Sequence, residues 1–342
     1  MISPVEEVAP DKTEATYEYK EKFSLSKFLR HYAIQLGILG VFFAIWGFFI
    51  ISAPDTFLSP RIYLAFMGTI PFFALMALPL TLVVIAGDID LSFTSIMAIG
   101  MVAFIFVFDA TGNAFLGALS AVAVGLLAGL MNGAIVVIFG IPSLVATIGT
   151  QFFWRGAVLV LSQGRSGTLV TTRESLLHPL LVGKLFGYIP MQFVWLVIVA
   201  IIMWVILNRT RMGAHIYLTG DNEESAKLMG VNTNRVRYFV FGLTGLISAL
   251  AGVVASLNVT YFWPSLGEGY LLRTLSSVFL GGTSVFGGVG TILGTFIGAF
   301  IVGSIEAGIV AVGWTNFLTQ LIYGLIIVVS VALQAILSRR MQ

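Results

Sequence analysis

The chain has 342 residues, of which 58 % are apolar and only 10 % are charged. A soluble domain carries roughly 25 % charged residues because its surface must face water, so this composition excludes an ordinary soluble globule and indicates a protein of the lipid bilayer. The net charge of +2 leaves no basic face for nucleic acid, and the absence of cysteine excludes disulfides. The three histidines are widely spaced, so we expect no metal site.

Ten apolar windows follow one another along the chain, and each is a candidate membrane-spanning helix. A span needs about 20 residues, since about 30 Å of hydrocarbon is crossed at 1.5 Å per residue. We therefore predict an all-α, polytopic membrane protein with about ten transmembrane helices, some of them broken, and a weak internal repeat. The windows lie near 33–53, 62–86, 91–108, 114–139, 143–162, 190–208, 236–258, 272–286, 291–312 and 315–337.

The basic residues are distributed unevenly between the two sides of this predicted bundle. Twelve of the 18 lysines and arginines lie in residues 1–32, in the connection 209–237 and in the tail 338–342. With ten spans these segments share one side, which the positive-inside rule makes cytoplasmic. The sequence thus predicts two cytoplasmic tails, 1–32 and 338–342, around a transmembrane domain, 33–337. This domain has a cytoplasmic loop at 209–237 and a loop on the opposite side of the membrane at 163–189.

The first polar interruption falls inside a long apolar stretch. Residues 86–92, AGDIDLS, place two carboxylates beside a glycine and a serine. These residue types predict a helix that breaks and restarts with a capping side chain. Broken helices line substrate paths in transporters, whereas a short turn with solvated carboxylates is the alternative.

A second interruption, residues 281–290, contains five glycines in ten positions and cannot form a stable uninterrupted helix. Both interruptions are followed by a span rich in small residues, which suggests a duplicated half with the pathway at the interface of the repeats. Close helix packing beside a glycine-rich turn is the alternative.

Two charged residues lie inside apolar windows, where an unpaired charge would cost several kcal/mol. Arg155 is in the fifth window, with Asp88 or Asp90 as a possible partner and snorkelling as the alternative. Glu306 is in the ninth window, where it would line a pore or hydrogen-bond at a subunit interface.

Residues 221–230 carry the most specific local signal. Asp221 and Glu224 have capping-box spacing, Lys227 falls in the last turn, and Gly230 follows at the C′ position. This pattern predicts a two-turn helix, which is too short to be stable alone and must dock. Its apolar anchors would be Ala226, Leu228, Met229 and Val231.

Several motifs occur together in one order along the chain. Over roughly residues 60–335 they resemble the inner-membrane permease subunits of ribose-type (simple-sugar) ABC importers, although Thr94, Glu224 and Arg273 depart from the family pattern. The motifs are Gly87 to Ser92, Gly149-Thr150, Arg155-Gly156, Gly164-Arg165, Gly220 to Asn232, Gly267 to Tyr270, and 281–290.

The resemblance implies a transport subunit and not an enzyme. The chain has no G-x-x-x-x-G-K-[ST] box and needs no cofactor, so ATP and Mg would be bound by two separate ATP-binding subunits. A second permease subunit, identical or similar, would complete a dimer, and a periplasmic substrate-binding protein would deliver a small sugar or sugar-like solute. Pentose, hexose, polyol, nucleoside and furanone-type signals all remain open. The expected location is a bacterial inner membrane, within lipid and with both termini cytoplasmic.

The resemblance implies three groups of functional residues: one for the ATPase, one for the pathway and one for the binding protein. The coupling helix would contact the ATPase, polar and aromatic groups that can bind sugar hydroxyls would line the pathway, and basic residues of the outer loop would meet the binding protein. The coupling residues are Asp221, Asn222, Glu223, Glu224, Ala226, Leu228, Met229, Gly230 and Val231; the pathway residues are Asp88, Asp90, Ser92, Thr94, Asn132, Gln151, Trp263, Thr283 and Ser284; the docking residues are Arg165, Arg173 and Lys184.

The main alternative function is an ion-coupled secondary transporter or channel that uses Asp88 and Asp90. It predicts uptake driven by an ion gradient without ATP, and it leaves the helix at 221–230 without a role. A membrane scaffold or receptor without transport is a third interpretation, against which the broken helices argue.

Overall fold

A computed structural model describes residues 33–315 and 317–341 of the chain; the predicted tail 1–32 lies outside the described residues. These ranges are mostly α-helical, with four two-residue strands. The strands are β1 (Gly167–Thr168), β2 (Lys184–Leu185), β3 (Ile189–Pro190) and β4 (Tyr261–Phe262). The helices are α1 (Ala33–Ser52), α2 (Pro54–Phe57), α3 (Pro60–Thr69), α4 (Pro71–Ile85), α5 (Phe93–Thr111), α6 (Ala114–Phe139), α7 (Ser143–Ser162), α8 (Leu177–Val182), α9 (Met191–Arg209), α10 (Arg211–Asp221), α11 (Glu223–Leu228), α12 (Thr233–Val259), α13 (Leu271–Leu280), α14 (Ile292–Ala311) and α15 (Phe317–Met341).

Every predicted window holds a helix, but not every helix can cross a bilayer by itself. Among the described residues six helices are long and apolar enough, namely α5, α6, α7, α9, α12 and α14. The pair α3 and α4 passes the same test together, as a broken span or a re-entrant loop, and is bent by 55° just before Pro71, which lacks the N–H needed to continue a helix. The broken, polytopic all-α bundle is confirmed, whereas the number ten is not established.

The two ends of the helix bundle differ, and we name each end by the residues that it carries. The loop-helix end carries α10 and α11, with residues 86–92 and 281–290. The cap end carries residues 163–190 and β4. There β1 pairs with β4 in antiparallel register and β2 pairs with β3. The predicted tail 338–342 continues α15 as far as Met341.

Helices α6 and α12 pack against each other in close backbone contact. A β-carbon at Gly129 of α6 would overlap the carbonyl oxygen of Phe241 on α12, and one at Gly245 would lie 2.9 Å from the Gly129 Cα. In a bilayer the hydrophobic effect contributes little to helix association, because the lipid is itself apolar. Close backbone contact of this kind stabilises the helix pair through van der Waals interactions instead.

We expect the Gly129→Ala substitution to lower the melting temperature of the detergent-solubilised protein by several degrees, because overpacking a close contact costs roughly 1–3 kcal/mol. The matched control is Gly47→Ala on α1, where an added β-carbon meets nothing within 4 Å. Equal melting temperatures of the two variants in a thermal scan would contradict this packing.

Candidate functional site

The loop between α9 and α12 folds into two helices instead of the single predicted one. Residues 211–221 form α10, and α11 then begins after Asn222, whose Oδ1 accepts a hydrogen bond from the Ser225 N–H at 2.8 Å. The expected capping box of Asp221 and Glu224 is therefore wrong. Asp221 is the last residue of α10, so it has helical backbone geometry and cannot serve as the N-cap of α11.

The C-terminal end of α11 agrees with the sequence expectation. Gly230 has a φ of +83° at the C′ position. Its N–H donates to the Lys227 carbonyl, and the Val231 N–H donates to the Ala226 carbonyl, both at 3.0 Å. These two bonds form a Schellman motif, which ends the helix at a fixed angle.

The four predicted anchors of this helix separate into two pairs. Ala226 and Val231 are buried against the chain itself, whereas Leu228 is 90 % exposed and Met229 is 62 % exposed. Two adjacent apolar side chains are therefore exposed at the end of a charged helix. The other predicted residues of the group, Asp221, Asn222, Glu224 and Gly230, are also exposed.

Arg237, in the first turns of α12, fixes the position of α11 through ion pairs. Its Nη1 and Nη2 each donate to a Glu223 carboxylate oxygen at 2.8 Å, and its Nε donates to Asp88 Oδ2 at 2.9 Å. Lys227 Nζ lies 2.8 Å from Glu223 Oε1. One guanidinium therefore connects α11 with the connection between α4 and α5, in the bidentate geometry that gives strong charge-assisted bonds.

The sequence analysis used Arg237 only for orientation and missed this role. Asp88 lies 149 residues earlier in the chain, so no spacing rule could have linked the two.

Three glycine motifs that are far apart in the sequence meet at this end. A β-carbon at Gly220 of α10 would overlap the Ile85 carbonyl oxygen and lie 2.7 Å from the Gly288 nitrogen. The Gly288 N–H in turn donates to the Ile85 carbonyl at 2.9 Å. A β-carbon at Gly287 would lie 3.0 Å from the Gly87 Cα. We call this contact of Gly87, Gly220, Gly287 and Gly288 the glycine junction; it places α10 directly against both breaks.

Both carboxylates of the first break contact the chain's own groups, although Asp90 Oδ2 and Asn132 Oδ1 are buried with no hydrogen-bond partner among the described residues. Asp88 binds Arg237, and Asp90 Oδ1 accepts hydrogen bonds from the Ser92 N–H at 2.8 Å and the Ser92 hydroxyl at 2.7 Å. Asn132 Nδ2 donates to the same hydroxyl oxygen at 2.6 Å, and Asp90, Ser92 and Asn132 are fully buried. These contacts support a structural role at the start of α5, and they do not favour an ion-coupled transporter.

The remaining predicted pathway residues are not gathered around this cluster. Thr94 and Thr283 are buried, whereas Gln151, Trp263 and Ser284 are partly buried. Thr283 and Ser284 belong to the glycine-rich segment at the loop-helix end. Among the described residues, no hydrogen bond joins Gln151, Trp263 or Ser284 to Asp90, Ser92 or Asn132.

Arg155 and Glu306 have partners that the sequence analysis did not name. Arg155 donates to the Pro264 carbonyl oxygen at 2.6 Å, and its Nε lies 3.6 Å from Glu268 Oε1. Asp88 and Asp90, named above only as possible partners of Arg155, do not pair with it, because both acids are held near the loop-helix end. Glu306 accepts a hydrogen bond from Arg273 at 2.7 Å.

The three predicted docking residues lie at the cap end. Arg165 follows α7, Arg173 lies in a 3-10 helix, Val170–Glu174, and Lys184 begins β2. All three are exposed.

The fold and this site define a polytopic membrane protein whose loop helices at one end contact two breaks in the helix bundle. A model of the family described as "Branched-chain amino acid transport system / permease component" matches residues 62–331. The chain therefore belongs to this permease family. It is the membrane subunit of an ABC importer and not an enzyme, since ATP hydrolysis occurs on separate subunits.

Curated relatives support the same family. The ribose import permease protein RbsC of Escherichia coli (strain K12) is 32 % identical over 260 residues, which is 75 % of this chain and 80 % of that protein. The autoinducer 2 import system permease protein LsrC of Yersinia pseudotuberculosis is 33 % identical over 72 % of this chain and 71 % of its own. LsrD of Klebsiella pneumoniae is 33 % identical over 75 % and 78 %. No solved structure matches the chain significantly.

The ion pairs of Glu223 predict that the stability of the folded protein falls in acid. Hydrogen bonds from Arg237 lower the pKa of Glu223 from 4.5 to about 2. A carboxylate with a lowered folded-state pKa stabilises the protein fully above its ordinary pKa, and this contribution is lost as the pH falls from about 4.5 towards 2.

We therefore expect the melting temperature of the wild-type protein to fall more steeply below pH 4.5 than that of Glu223→Gln, which has no carboxylate to protonate at this position. Parallel curves of melting temperature against pH for the two proteins would show that the Glu223 ion pairs do not stabilise the fold.

Proposed function

We propose that this chain forms the translocation pathway for a small sugar or sugar-like solute in a bacterial inner membrane. Two ATP-binding subunits would drive it, a second permease subunit would pair with it, and a periplasmic binding protein would deliver the solute. The solute class rests on relatives named as ribose and autoinducer 2 import permeases, although the family description names branched-chain amino acids.

The exposed pair Leu228 and Met229 carries this proposal. These side chains project from a short helix that is capped at both ends and fixed by ion pairs, so they present a rigid apolar tip. A rigid anchor costs little conformational entropy on binding. We infer that this tip inserts into a groove of the ATP-binding subunit, which places the loop-helix end and both termini in the cytoplasm.

The glycine junction offers a route by which the ATP-binding subunit would act on the pathway. Because Gly220 has no side chain, the backbone of α10 touches Ile85 and Gly288 directly. Displacement of α10 and α11 by the ATP-binding subunit would therefore move both breaks together. Packed interfaces of this kind respond by switching between discrete arrangements instead of deforming gradually.

At the opposite end, Arg165, Arg173 and Lys184 would attract acidic residues of the binding protein. Their exposure supports this role, since rim charges mainly accelerate and orient encounter. They are spread over a loop that contains five short elements of its own.

The double substitution Leu228→Asp and Met229→Asp tests the docking proposal. Central apolar anchors typically contribute 1 kcal/mol or more each, so the substitution should weaken association with the ATP-binding subunit by at least roughly tenfold and abolish transport. Association is measured by co-purification from membranes and by binding assays in detergent.

Phe186→Asp is the matched control, because Phe186 is 79 % exposed but lies at the cap end. It should leave association with the ATP-binding subunit unchanged. If the double variant retains both association and transport, the docking proposal fails.

The role of Arg237 is tested by Arg237→Lys, which keeps the charge but loses the bidentate fork. We expect the ATP-binding subunits to remain bound while solute transported per ATP hydrolysed falls severalfold, because α11 is no longer fixed to the connection at 86–92. The exposed neighbour Arg235 provides the control Arg235→Lys. An unchanged ratio of transport to hydrolysis in Arg237→Lys would exclude a coupling role.

A further inference from the structure

Residues 263–270, between β4 and α13, return from the cap end into the bundle. A β-carbon at Gly267 would lie 2.5 Å from the carbonyl oxygen of Thr94, in the first turn of α5. Arg155, beyond the middle of α7, donates to the Pro264 carbonyl oxygen at 2.6 Å. Both α5 and α7 are long and apolar enough to span a bilayer, so this segment lies at membrane depth. Irregular backbone at that depth occurs only where it is buried in protein or lines a water-filled cavity.

The side chain of Glu268 decides between these two environments. It is 61 % exposed, although Arg155 Nε approaches one of its oxygens at 3.6 Å. A carboxylate that faces hydrocarbon would cost several kcal/mol, so this side of the segment does not face lipid.

A cavity of about 300 Å³ opens beside Glu268. Arg273 of α13 lies on the same wall, and Phe317, Gln320 and Tyr323 of α15 form the other wall. Arg273 donates to Glu306 at 2.7 Å, and the Tyr323 hydroxyl donates to a carbonyl of α14 at 3.2 Å. We call this space the α13–α15 cavity.

We propose that the α13–α15 cavity contacts the solute on its way through the bundle, and that the solute is a small, neutral, polyhydroxylated molecule. This inference rests on the proposed function and deepens it. It assigns solute contact to Glu268, Arg273 and Gln320, in place of the fully buried group of Asp90, Ser92 and Asn132.

The charges around the cavity argue for a neutral solute. Arg155 and Arg273 balance Glu268 and Glu306, so the site has no net charge with which to concentrate an ion. Carboxylate oxygens and guanidinium N–H groups can instead accept from and donate to neighbouring hydroxyls.

The volume of the α13–α15 cavity and its aromatic lining also favour a small, polyhydroxylated solute. The exposed ring of Phe317 provides an apolar face for the C–H groups of a sugar ring. A volume of about 300 Å³ is at the lower end for small-molecule sites, which suits a solute of monosaccharide size.

The absence of cysteine from the whole chain makes this proposal directly testable. Single substitutions Glu268→Cys and Gln320→Cys are introduced into the full chain and reconstituted into liposomes. Each is treated with a charged, membrane-impermeant thiosulfonate reagent. Gln320→Cys leaves every charged group in place, so the test remains valid if Glu268→Cys disturbs the Arg155 pair. The matched control is Leu127→Cys, in the middle of α6, where the leucine is 64 % exposed.

We expect both cavity cysteines to react at least roughly tenfold faster than Leu127→Cys, because ionic reagents are excluded from hydrocarbon. D-ribose at about 100 mM, a concentration suited to millimolar affinity, should slow the reaction, whereas leucine and glutamate should not.

Two results would overturn the proposal. Labelling of both cavity cysteines at the rate of Leu127→Cys would show that the cavity is not aqueous. Rapid labelling that D-ribose does not slow would show that it is not a contact site for such a solute. The experiment needs no ATP-binding subunit, so its failure is separable from failure of the docking of α11.

Discussion

The close approach of backbone to backbone at Gly220 is the constraint on which the functional end of this molecule depends. No side chain separates α10 from Ile85 and Gly288, so the loop helices rest directly on the turn that ends α4 and on the glycine-rich segment before α14. A single β-carbon at Gly220 would force these three segments apart. The glycine residues at 87, 220 and 287 are thus parts of one contact, and their spacing in the sequence has no meaning by itself.

The Arg237 ion pairs act together with this contact. The guanidinium is shared between Glu223 on α11 and Asp88 in the first break, so the position of the exposed Leu228 and Met229 is linked to the start of α5. Partly buried charges need this arrangement, because removing one partner leaves the others without compensation. The same bonds that hold the loop in place would therefore also transmit its displacement in the proposed coupling.

Polar groups inside the bundle fall into two classes that composition cannot separate. Asp88, Asp90 and Glu306 each accept hydrogen bonds from the chain's own donors. Glu268 keeps a largely exposed carboxylate. In the proposed α13–α15 cavity, this exposure, and not the presence of a charge alone, would make a group available to a solute.

The sequence by itself determined the all-α membrane class, the helix windows and the Gly230 end of α11, because apolar length and terminal residues act over one or two turns. It placed the cap of α11 at Asp221 instead of Asn222, since nothing local indicated that α10 extends to residue 221. Only the tertiary structure decided the partners of Arg237 and Arg155 and the place of Glu268. Those contacts join residues about 15 to 150 positions apart, and their geometry depends on how the helices pack and not on any local propensity.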